Sequence, residues 1–139
     1  MAAAIFKKRL EEKKINNIEV YSCGIYAEDG QAAMYTAIAA MDKYDIDLKN
    51  HKTTDIRNSN IKDMDIILCT TKSHRDMVKQ MYPDLCNKIY TIKEYVNYDG
   101  TGQDLNIPDP WGYDLETYLF CAKQMSDCIN ILIDMLKSM

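Results

Sequence analysis

Asp65-Ile66-Ile67-Leu68-Cys69 is a short apolar run, too brief for a helix and of the kind that fills a strand buried on both faces of a parallel sheet. Working outward from it, the chain alternates. Downstream, Ser73 stands where a helix cap is expected, a helical pattern runs to Tyr82, and Pro83 stops it. Residues 88–92 read as a further strand. The chain then closes with a long amphipathic helix whose apolar stripe is Leu115, Leu119, Ala122, Met125, Ile129, Leu132 and Leu136. Upstream, residues 31–44 are alanine-rich with Met34, Ile38 and Met41 at helical spacing, after a loop ending at Asp29-Gly30. Residues 18–22 read as a strand, and Ala2, Ile5, Phe6 and Leu10 form the apolar side of an opening helix. Strand and helix taking turns predict an α/β fold, an open parallel sheet with helices on both faces, as one domain over residues 1–139.

At 139 residues the chain is long enough to bury a real core. Its net charge is −4, and its basic residues are interleaved with acidic ones, Lys7-Lys8-Arg9 being followed by Glu11-Glu12. No basic stripe fits a phosphate backbone, so nucleic acid is not expected as a partner. No apolar run approaches the roughly 20 residues that cross a bilayer, and residues 1–10 hold no secretory core. A soluble cytoplasmic protein without membrane contact is expected.

Cys23, Cys69, Cys86, Cys121 and Cys128 are odd in number and irregular in spacing, and only two histidines, His51 and His74, accompany them. Neither a disulfide framework nor a metal site is expected, and no pattern implies an organic cofactor. The thiols are expected reduced and mostly buried.

Two stretches carry chemistry. Ile107-Pro108-Asp109-Pro110-Trp111-Gly112 holds a carboxylate between two prolines that fix φ on either side, so Asp109 is presented on a stiff loop as a general acid would be. A turn before a helix, with Asp109 as a surface or capping residue, stays open on these residues alone. Cys69 and Arg75 are five residues apart at a strand-to-helix junction, the spacing of a phosphate loop in which a thiolate attacks phosphorus and an arginine holds the oxygens. The intervening Thr70-Thr71-Lys72-Ser73-His74 lacks the glycine or asparagine such a loop needs for positive φ, which favours a buried cysteine ending a strand.

Along its whole length the chain resembles the low-molecular-weight protein tyrosine phosphatases, in particular the bacterial branch that includes protein-arginine phosphatases. Residues 2–8 look like the helix after that family's catalytic loop. Ser22-Cys23-Gly24-Ile25 is similar to its Ser-Ala-Gly-Thr turn, and Ile46-Asp47-Leu48 with His51 to its Ile-Asp-Leu-x-x-His segment. Thr91-Ile92-Lys93-Glu94-Tyr95 matches a further bacterial stretch, and Asp109-Pro110-Trp111-Gly112 corresponds to the Asp-Pro-Phe-Gly general-acid loop.

The resemblance implies a phosphatase that hydrolyses phosphotyrosine or phosphoarginine on protein substrates through a phosphocysteine intermediate. Asp109 would protonate the leaving group and later activate water. Tyr26 and Trp111 would wall the substrate pocket, and Ser22 and His51 would support the catalytic loop. For His51 a surface or satisfied core role stands beside that one. The family's Cys-x5-Arg-Ser loop and first strand lie before its opening helix, so Met1-Ala2-Ala3-Ala4 reads as an internal start and the expected chain is truncated, without its first strand, and inactive. That strand lies between the one at 18–22 and the one at 65–69, which leads to the expectation of a swapped or sheet-sharing homodimer. A dead phosphoprotein-binding domain and a thioredoxin-coupled arsenate reductase relative are the alternatives. Cys69 has no second cysteine seven residues on, where Asp76 stands, which ranks the reductase last.

Overall fold

The computed structural model describes residues 1–98, 104–110 and 112–137. In chain order the elements are α1 (Ala2–Glu12), α2 (Tyr35–Asp42), β1 (Ile67–Cys69), α3 (Lys72–Met81), β2 (Ile89–Thr91), α4 (Ile92–Val96) and α5 (Leu115–Lys137). Short 3₁₀ turns at Ile56–Asn58, Ile61–Asp63 and Pro83–Lys88 join them. β1 and β2 are parallel, with Ile67 opposite Ile89, Leu68 opposite Tyr90 and Cys69 opposite Thr91. Parallel neighbours need a crossover, and α3 supplies it.

Helices cover the sheet on two sides. α5 packs against α1, α2 and α4, while α3 packs on β1 and β2. The larger core gathers Ile5, Met41, Ile107, Cys128, Ile129 and Ile133 with their neighbours, and a smaller one holds Ile56, Ile61, Cys69, Val78 and Ile89. α5 forms because its apolar residues recur at helical spacing, and the Asp114 carboxylate starts it by accepting from the Thr117 backbone N–H at 3.0 Å and its hydroxyl at 2.7 Å.

Three expectations need correction. Residues 18–22 form no ladder among the described residues; Glu19, Val20, Tyr21 and Ser22 line a cleft instead. The expected helix over 31–44 contracts to Tyr35–Asp42. At its start, the Gln31 carbonyl accepts from the Thr53 amide, the Gly30 amide donates to the Thr53 carbonyl, and Ala32 bridges Lys52, which holds the chain extended; at its end, Asp45 has φ of 58°. Ser73 is not the cap of α3. Thr71 is, its hydroxyl accepting from the His74 amide at 3.1 Å.

Of the five thiols, Cys69, Cys121 and Cys128 are buried, whereas Cys23 and Cys86 are exposed.

Candidate active site

The carboxyl ends of parallel strands are where ligands collect in such sheets. β1 ends at Cys69 and β2 at Thr91. Thr91, fully buried, closes its strand and opens α4: its hydroxyl accepts from the Glu94 amide and donates to the Glu94 carboxylate, both at 3.1 Å.

The loop carrying Asp109 is fastened to this edge at successive residues. Asn106 receives the Lys72 amide on its side-chain oxygen at 2.7 Å and the Lys93 ammonium on its backbone oxygen at 2.6 Å, and its own amide donates to the Asp104 carboxylate at 3.0 Å. Ile107, with its side chain fully buried, donates its amide to the Thr70 carbonyl at 2.8 Å. The Cys121 thiol donates to the Pro108 carbonyl at 3.2 Å. Pro110 is buried, yet Asp109 between the prolines is exposed. Its charge reaches inward: burial first, and then the Asp109 carboxylate, raises both the Tyr118 phenol and the Cys121 thiol.

Thr70 also borders a cleft of about 540 Å³. Ser22, Cys23, His51, Cys69 and His74 line it, together with the start of α1. The Ser22-Cys23-Gly24 turn is locked by a parallel bridge, Gly24 donating to the Thr54 carbonyl at 2.9 Å and accepting from the Ile56 amide at 3.0 Å. Glycine fits there without strain, whereas a Cβ would stand 2.9 Å from that of Ala27 and force a shift. His51 is held below its ordinary value, by burial first and then by the Met1 amine and Lys7. The structure thus brings Ser22 and His51 to one cleft and anchors the Asp109 loop to its Thr70 side. Tyr26 lies on the adjoining surface, 79% exposed, with its hydroxyl 3.5 Å from the Met77 sulfur. Trp111 falls outside the described residues.

Cys69 and Arg75 do not form a phosphate loop. The Cys69 thiol is pushed up to about 11, mainly by burial, so the thiolate is scarce at neutral pH. Residues from Lys72 onward are already helical. The Arg75 guanidinium is taken by the Glu94 carboxylate and, at 3.0 Å, by Asp76.

The sequence model of the low molecular weight phosphotyrosine protein phosphatases matches residues 1–138. The chain belongs to that family. It is 28% identical over 138 residues to a protein-arginine-phosphatase of Geobacillus stearothermophilus, covering 99% of this chain and 87% of that one. It is 30% identical over 111 residues to the low molecular weight protein-tyrosine-phosphatase PtpB of Staphylococcus epidermidis, covering 80% of this chain and 74% of that one. Among solved structures, the YwlE arginine phosphatase from G. stearothermophilus superposes with a TM-score of 0.85 at 27% identity, over 99% of this chain and 83% of its own. A low molecular weight protein tyrosine phosphatase from T. tengcongensis gives 0.85 at 30% identity, over 96% and 87%. The fold of the family's solved members is therefore the fold described above.

Lys93 and Asn106 escape sequence reasoning. A single lysine beside a glutamate reads as solvent-facing, and only the packing of α4 on α5 reveals otherwise.

Proposed function

We propose that this phosphatase-family chain recognises phosphorylated arginine or tyrosine side chains of proteins, with Asp109 as the group placed to protonate the leaving atom wherever a thiolate nucleophile is supplied. One observation carries the reading: Asp109 is exposed on a loop whose preceding residues are tied to the end of β1 beside the cleft. Ser22 and His51 are proposed as supports of the phosphate-holding loop, and Tyr26 and Trp111 as walls of the substrate pocket. The phosphocysteine route asks for a thiolate, and the buried Cys69 with its engaged Arg75 supplies little at neutral pH. These facts favour, for residues 1–139 by themselves, phosphoprotein binding with little or no turnover.

The deciding experiment measures hydrolysis of para-nitrophenyl phosphate and phosphoarginine by the chain, by Cys69→Ser and by Asp109→Asn, alongside phosphopeptide binding. Binding without turnover in all three supports the reading. Turnover abolished in Cys69→Ser would make Cys69 the nucleophile and refute it, and absence of both binding and turnover would remove phosphoproteins as ligands.

The outer edge of β1 and the unpaired stretch 18–22 border the same cleft, which supports a sheet-sharing homodimer. Light scattering should then return twice the 16.1 kDa chain mass, and a stable monomer rules it out. The free cysteines support a reducing, cytoplasmic setting.

A further inference from the structure

Lys93 is the least expected member of the interior. It is 2% exposed, on a five-residue helix that also buries Ile92 and Val96. Its ammonium donates to the Asn106 carbonyl at 2.6 Å and stands 5.8 Å from the centre of the Tyr98 ring. The same charge acts on the Cys121 and Cys128 thiols, which places it between the 104–110 loop and α5. A buried ammonium is costly unless it is bonded, and a methionine would fill the same space without that cost. What methionine cannot do is hold a carbonyl. A charged donor makes the shorter and stronger bond, and here that bond fixes the backbone one residue before Ile107.

The neighbouring anchors show what is being held. Asn106 is bonded through its amide, its side chain and its carbonyl, and Ile107 continues the fastening onto Thr70. Asp109 follows two residues later, and Pro108 and Pro110 leave little freedom to lose the position set upstream. We propose that Lys93 is a positioning residue: its buried ammonium clamps the Asn106 carbonyl and thereby sets where Asp109 stands at the end of β1. The proposal rests on the reading of Asp109 as the acid, and its consequence is that the acid is aimed from α4 by a residue that does not line the cleft, although its neighbour Ile92 does.

The test compares the chain with Lys93→Met and Lys93→Arg by site-resolved amide hydrogen exchange, by the ¹³C resonance of the Asp109 carboxyl, and by thermal unfolding. In Lys93→Met, exchange at Ile107 should quicken at least tenfold and the Asp109 resonance should move, while exchange at Val78 and Ile129 and the unfolding midpoint hold. Lys93→Arg, which keeps a charged donor, should restore most of both signals. Unchanged exchange at Ile107 in Lys93→Met overturns the clamp, and so does equal quickening at Ile129, because the lysine would then serve the core as a whole. Absence of phosphopeptide binding by the parent chain strikes at the proposed function alone, whereas Ile107 exchange decides the clamp independently.

Discussion

Asp109 is exposed and Ile107, two residues earlier, is fully buried, so one short loop serves both core and surface. The prolines around Asp109 single that loop out in the sequence, since few stretches stiffen a carboxylate in this way. Lys93 was illegible for the opposite reason: nothing in Ile92-Lys93-Glu94-Tyr95 distinguishes a clamped ammonium from a solvated one. Gly24 offers a sharp test of the turn that carries Ser22. Gly24→Ala should destabilise by about 1–3 kcal/mol through overpacking, and pairing it with Ala27→Gly should return most of the loss. Denaturant unfolding of the two single variants and the double variant measures the coupling directly. His51 gives a pH signature. Its folded value lies below 6.5, so well above pH 6.5 both states are neutral, and as pH falls toward and below 6.5 the unfolded chain takes its proton first. Stability should therefore decline from pH 7 toward pH 5, and His51→Gln should flatten that decline in urea titrations.

At the scale of elements, propensity located helices better than their ends. Both Thr71 and Ser73 are acceptable caps by residue type, and the choice is made by where β1 releases the chain, with Thr71 still extended at φ of −127°. Thr71→Ala should cost about 1 kcal/mol, while Ser73→Ala should stay within about 0.5 kcal/mol. Thermal unfolding of the pair checks the assignment, and a larger loss at Ser73 would reverse it. The stretch 18–22 has strand-like residues but no ladder, because a strand exists through its neighbour, and sequence does not show whether the neighbour is there. The long stripe of α5 was read correctly in type, yet buried Tyr118, Cys121, Cys128 and Ile133 widen it, since the helix is packed by α1, α2 and α4 at once.

For the whole molecule, α5 is the common wall of the larger core, and stability should be most sensitive there. Ile133→Ala, at a fully buried position, is expected to lose about 2–5 kcal/mol, a large part of the roughly 5–15 kcal/mol typical of a domain. Chemical denaturation with an unchanged slope would confirm that only stability moved. The alternation of strand and helix was enough to give the layered α/β architecture, because periodicity survives even where element ends are set by tertiary contacts. The cleft was legible only through resemblance, since a gap between elements leaves no periodic mark on the residues around it. That cleft has residues of both cores in its walls, Ile56 and Val78 from the smaller, Met125 and Ile129 from the larger. The buried thiols fall on either side of it, Cys69 in one core and Cys121 and Cys128 in the other. The native chain therefore carries its own pair of clocks: with a thiol reagent, Cys23 and Cys86 react at once, and each later phase times the opening of one half of the protein separately from the other.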